Sequence, residues 1–149
     1  MKKSFIVSKE KTINATPGEV WKVITNPILF KDWMYVPGQI ADEKPFGLGS
    51  KIQWTNDENV VYLEGKVIVF DEAKEMVISL QDISWDSEVP EGSVTYEYRL
   101  SETNDGTKVN FLLGDLAVDP EGEAWYDAYN SSDEIGAIEK LIIPRTQSL

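Results

Sequence analysis

Cysteine and histidine are both absent from this 149-residue chain. Without thiols there can be neither a disulfide framework nor a thiolate metal site. Without imidazole there is no histidine general base, no Ser-His or Cys-His nucleophile pair and no His-ligated zinc. Positive charge is scarce: 14 Lys and Arg stand against 26 Asp and Glu, a net charge of −12, and the only arginines are Arg99 and Arg145. That balance argues against nucleic acid or an anionic membrane surface as partner. Long apolar runs are missing too. The basic start MKKSFIVSKEK offers only Phe5-Ile6-Val7, whereas a signal peptide needs roughly 7–15 apolar residues there. Nothing in the chain approaches the ~20 apolar residues of a membrane span. The expectation is a soluble cytoplasmic protein whose scattered acidic residues form a solubilising surface.

What is present suits a single globular domain. Hydrophobic residues make up 42% and aromatics 11%, enough for a core without staples. A first strand at about 5–14 ends at Thr16-Pro17, where Thr16 fits an N-cap, Pro17 the first helical position and Glu19 a capping box. Val20, Trp21 and Ile24 then share one face of a short helix. Asn26-Pro27 repeats the signal and starts a second short helix to about Trp33. From there the period becomes two. GSKIQW puts Ile52 with Trp54; VVYLEGKVIVFD is a long strand in which Gly65 marks a bulge or a close approach. DEAK turns it into EMVISLQ. SVTYEYRL places Val94, Tyr96, Tyr98 and Leu100 on one face, and Asn104-Asp105-Gly106 is a hairpin turn into TKVNFLLGD, with Val109, Phe111 and Leu113 inward. Asp119-Pro120 opens a long helix expected to run to about Ile143, with Trp125, Tyr129, Ile135, Ile138 and Ile142 near one stripe and Pro144 as its end. A sheet with one apolar face must be covered, and the long C-terminal helix is the element of sufficient size.

This ordered set resembles the START-like (SRPBCC) superfamily, and within it the bacterial single-domain proteins of the activator of Hsp90 ATPase homologue type. The resemblance rests on INATPGEVWKVITNP…FKDWM, FGLGSKIQW, GKVIVFDEAKEMVISLQ, VTYEYRLSETNDGTKVNFLLGD and the closing amphipathic helix, about residues 5–143, followed by a short tail at 144–149. It implies an α+β helix-grip fold: a curved antiparallel sheet wrapped around a long C-terminal helix, with two short helices after the first strand. It also implies an internal cavity between sheet and helix, of the kind that holds lipids, sterols, polyketides or phenolics in relatives. Two departures imply a reshaped cavity. Leu80 stands where many relatives have Trp, and Ser131-Ser132-Asp133 stands where they often carry Gly-Trp.

The candidate ligand-binding residues are Trp33, Met34, Trp54, Leu80, Tyr96, Tyr98, Phe111, Trp125 and Tyr129, large side chains expected to line the cavity, with phenol and indole groups to orient a ligand. Each is equally suited to plain core packing. GLGSK precedes a strand and so reads as a tight turn, since a phosphate loop must open a helix. Asp119, Glu121 and Glu123 do not fit a calcium loop, because the positions that need glycine and a bidentate acid hold Ala124 and Asn130. Neither a metal nor another cofactor is expected. Catalysis would have to use a buried carboxylate with tyrosine, but Glu64 and Glu97 fall on faces that read as solvated. The expected function is binding of a small hydrophobic molecule, with entry near the short helices and the loop at 83–92. The alternatives are a chaperone or homodimer contact and a cyclase- or hydrolase-like enzyme.

Overall fold

The computed structural model describes residues 4–40, 45–83, 85 and 89–147. Seven antiparallel strands form one sheet in the order β1-β7-β6-β5-β4-β3-β2. They are β1 (Val7–Ile13), β2 (Gln39–Ile40), β3 (Lys51–Thr55), β4 (Val61–Asp71), β5 (Glu75–Asp82), β6 (Thr95–Thr103) and β7 (Gly106–Gly114). The helices are α1 (Pro17–Ile24), α2 (Phe30–Trp33), α3 (Gly122–Ser131) and α4 (Glu134–Gln147). This is the α+β helix-grip arrangement, with α1 and α2 inserted after the first strand and packed against α4.

Local chemistry explains most boundaries. The Thr16 hydroxyl accepts from the Glu19 N–H while the Glu19 carboxylate accepts from the Thr16 N–H, both at 3.1 Å, so the capping box closes around Pro17. Asn26 caps a single 3-10 turn at Pro27–Leu29, and α2 follows as one short turn of α-helix. The hairpin joining β6 to β7 pairs Thr103 with Gly106, whose φ of 137° is open to glycine and strained for other residues. The inward face of β6 and β7 is buried as the alternation requires: Tyr98 and Val109 are fully covered, and Tyr96 and Phe111 nearly so.

Gly65 is a point of close approach. A Cβ there would stand 2.6 Å from the Ile78 side chain and 3.1 Å from the Trp54 ring, so the missing side chain lets the indole lie across β4. The irregularity in the β4–β5 ladder falls two residues later, between Val67 and Val69. Gly47–Ser50 is the tight turn that the sequence suggests, closed by the Gly47 N–H on the Ser50 hydroxyl at 2.8 Å, and β3 follows it.

The C-terminal helix departs from expectation in three ways. Asp119 makes a side-chain turn, its carboxylate accepting from the Glu121 N–H at 2.7 Å, and α3 begins only at Gly122. The helix then breaks at Ser132-Asp133. The Ser132 hydroxyl donates to the Tyr129 carbonyl at 2.7 Å, and the Lys9 ammonium donates to the Ser132 carbonyl. Asp133 starts a new helix by accepting from the Gly136 N–H at 3.0 Å, the geometry of an N-cap on its third helical residue. Finally, the backbone of α4 remains helical through Pro144 to Gln147. Two shorter helices therefore replace the single long one, and the second presents its N-terminus to the core. Among the described residues no helix is long and apolar enough to cross a membrane.

Candidate functional site

The break places an unexpected group in the core. Glu134, the first residue of α4, is only 4% exposed. Its carboxylate accepts from the Tyr96 hydroxyl at 2.6 and 2.7 Å, from the Tyr98 hydroxyl at 2.7 Å and from the Tyr35 N–H at 2.7 Å. A buried carboxylate is tolerable only when paired or hydrogen-bonded. Here three donors converge on it, and the α4 N-terminus adds a favourable dipole. Burial pushes its proton affinity above the ordinary carboxylate range, opposed by the bonds from Tyr96, the Tyr35 N–H and Tyr98 and by the charge of Lys9. Burial, together with this carboxylate, holds the Tyr96, Tyr98 and Tyr129 phenols well above their ordinary value. Glu64 lies exposed on the outer face, and Glu97 there accepts from the Thr95 hydroxyl at 2.5 Å and pairs with Arg99.

Beside this network lies a cavity of about 50 Å³ that opens to solvent. The sheet supplies Trp54, Tyr62, Leu63, Leu80 and Leu113 to its wall, and α3 supplies Trp125 and Tyr129. Val36, Trp85 and Leu116 close the remaining sides, and two carboxylates, Asp82 and Asp119, also reach it. Two indoles are fixed by hydrogen bonds. Trp54 Nε1 donates to the Val36 carbonyl at 2.8 Å, and Trp85 Nε1 donates to Asp119 Oδ2 at 2.8 Å. Tyr129 joins cavity and network, since it lines the one and its ring stands 6.5 Å from that of Phe111 in the other.

The sequence-derived candidates thus divide. Trp54, Leu80, Trp125 and Tyr129 line this cavity. Tyr96 and Tyr98 hold Glu134, and Phe111 packs between them and Tyr129 with ring centroids 5.3 and 5.1 Å from the two tyrosines. Trp33 packs edge-on against Tyr98 at 5.5 Å, and Met34 is buried in the same core; neither lines the cavity. The expected entry loop is described only in part, with residues 84 and 86–88 of the 83–92 segment outside the described residues. Sequence reasoning missed Tyr62, Trp85 and Glu134. A signal existed for Glu134: once Asp133 is read as an N-cap, Glu134 lies one turn before Ile138 on a buried face.

The curved antiparallel sheet, the short helices after its first strand and the C-terminal helices define a helix-grip fold of the SRPBCC kind. The sequence profile of the activator of Hsp90 ATPase homolog 1-like proteins matches residues 14–131, so the chain belongs to that family. Its fold is similar to that of MLL2253 from Mesorhizobium loti, at 20% identity and a TM-score of 0.70 over 95% of this chain and 98% of that one. ChR145 from Cytophaga hutchinsonii is similar at 19% identity and 0.69, covering 99% and 100%. The Aha1 dimer from Colwellia psychrerythraea is similar at 16% identity and 0.59, covering 91% and 90%. No curated protein sequence matches the chain.

Proposed function

We propose that this protein binds a small, largely apolar ligand in the cavity walled by Trp54, Leu80, Trp125 and Tyr129. The observation that carries this reading is the lining itself: a concavity walled chiefly by aromatic and aliphatic side chains, with Asp82 and Asp119 as its charged members. Burial of ligand surface, at about 25 cal/mol per Å², supplies the driving force. The volume of about 50 Å³ accommodates a small terminal group or the edge of a ring, so a lipid, polyketide or phenolic ligand inserts part of itself and leaves the rest at the mouth. Drug-sized ligands occupy roughly 300–1,000 Å³, and a larger insertion requires α3 to move outward. Glu134 belongs to the scaffold in this reading: its donors hold α4 against β6.

Methyl-resolved NMR tests the proposal. Phenol or cyclohexanol titrated into the protein shifts the Leu63, Leu80, Leu113 and Leu116 methyls saturably and leaves Ile24 and Val20 unmoved. Absence of any saturable shift at those four leucines contradicts it.

A second reading, a chaperone contact, is favoured by the family and by apolar surface at one pair of turns. Ile28 is 73% and Leu48 70% exposed, and Phe30 and Phe46 beside them are in ring contact at 5.6 Å. Loss of chaperone binding in an Ile28→Ser, Leu48→Ser double variant supports it, and retention of binding opposes it.

A further inference from the structure

Five of the residues around the cavity are aromatic: Trp54, Tyr62, Trp85, Trp125 and Tyr129. The charged groups that share the wall are acidic, Asp82 and Asp119, and among the described residues the lining contains no lysine or arginine. A site evolved for a neutral hydrocarbon gains nothing from two carboxylates at its wall, because each must be kept hydrated or hydrogen-bonded. An organic cation gains from both features, since aromatic faces attract it through their quadrupoles and carboxylates through their charge.

From this juxtaposition of aromatic rings and carboxylates around one small cavity we propose that the ligand carries an alkylated ammonium group, and that this group occupies the cavity. The inference rests on the binding function proposed above and names the chemical class of the part that enters.

Four further observations agree. A water-sized group needs about 10–15 Å³ of such space, so about 50 Å³ holds roughly three to five of them, the size of a nitrogen bearing methyl groups. Asp119 is held in place: Oδ2 accepts from Trp85 Nε1 at 2.8 Å and Oδ1 from the Glu121 N–H at 2.7 Å, which fixes carboxylate and indole as a unit. A carboxylate has about four lone-pair sites, so these two bonds leave acceptor capacity for a ligand. The Tyr62 phenol at the same wall is pushed up by its burial and by the charge of Asp82. The net charge of −12 draws cations toward the molecule as a whole.

The test compares two probes of equal shape, choline and its carbon isostere 3,3-dimethylbutan-1-ol, by calorimetry and by tryptophan fluorescence at low ionic strength. Choline binds about two- to fivefold more tightly, the ratio expected for one exposed cation–aromatic interaction. Asp119→Asn removes the charge and keeps one acceptor oxygen, enough for Trp85 Nε1 though not also for the Glu121 N–H, and reduces choline affinity about fivefold without altering that of the alcohol. Trp125→Leu preserves apolar surface and also narrows the choline preference. If the alcohol binds as tightly as choline, or if Asp119→Asn weakens both alike, the cation inference falls while cavity binding stands. If neither probe saturates the protein, both fall.

Discussion

Replacing Tyr98 by phenylalanine isolates the buried carboxylate network with little change in packing. The ring stays edge-on to Trp33 and in contact with Phe111; only the hydroxyl, 2.7 Å from Glu134 Oε1, is lost. Glu134 then keeps Tyr96 and the Tyr35 N–H as donors. A hydrogen bond to a charged group contributes about 1.5–3 kcal/mol, a neutral one about 0.5–1.5 kcal/mol. Wherever the pH exceeds the raised folded-state value of Glu134, so that the carboxyl is ionised, the variant should lose about 2 kcal/mol. The sign of the pH dependence follows from linkage. The folded-state proton affinity of Glu134 is raised, so the folded protein binds this proton before the unfolded chain does. The stability linked to it is present below the unfolded value of about 4.3 and declines as pH rises through the folded value. The Tyr98 bond opposes that decline, and without it the decline steepens. The loss caused by Tyr98→Phe should therefore shrink to about 1 kcal/mol at pH 4, where the bond is one between neutral groups. Urea unfolding followed by tryptophan fluorescence at pH 4, 6 and 8, with unchanged m, measures it. A loss below about 0.5 kcal/mol at pH 8, or one as large at pH 4, refutes the reasoning.

Two further outcomes follow from the same core. Tyr96, Tyr98 and Tyr129 all have raised proton affinities in the fold, so the unfolded chain loses these protons first. Their stabilisation is intact below pH ~10 and falls above it, by up to about 1.4 kcal/mol per pH unit for each phenol; unfolding at pH 9, 10 and 11 should show this, with a shallower fall in Tyr129→Phe. Gly65→Ala places a methyl 2.6 Å from the Ile78 side chain and 3.1 Å from the Trp54 ring. Overpacking of this kind costs about 1–3 kcal/mol, and displacement of Trp54 from its bond to the Val36 carbonyl should shift the emission spectrum; unchanged stability and emission would argue against the close approach.

The fold was legible because its signals are local. Thr16, Glu19, Asn26 and the Asn104–Gly106 turn announce their structures within four residues, and the alternation in β6 and β7 assigns each side chain to a face. The break in the C-terminal helix was less legible. The stripe of Trp125, Tyr129, Ile135, Ile138 and Ile142 fits a continuous helix, and only the Asp133 cap and its bond to Gly136 distinguish a restart. Glu134 was legible as a buried residue only through that cap, because its donors lie 36, 38 and 99 positions away and a charge next to Asp133 otherwise reads as solvated surface. The cavity was legible in part. Trp54 follows from strand alternation and Trp125 and Tyr129 from helical period, whereas Leu80 comes from the family resemblance, since β5 is buried without alternation from Met76 to Leu80. Trp85 lies outside any regular element and has no period to reveal it. It is placed by a bond to Asp119, 34 positions away.

The account turns on the cavity beside Tyr129 being the binding site and the Glu134 network being scaffold. The most direct measurement compares the affinity of one small fragment, phenol, for the unaltered protein, Leu80→Trp and Tyr98→Phe. Leu80→Trp fills the cavity from β5, and Tyr98→Phe alters the network alone. The account predicts that Leu80→Trp remains folded and loses phenol binding, while Tyr98→Phe binds within about twofold of the unaltered protein despite its lower stability. Undiminished binding to a folded Leu80→Trp protein would contradict it.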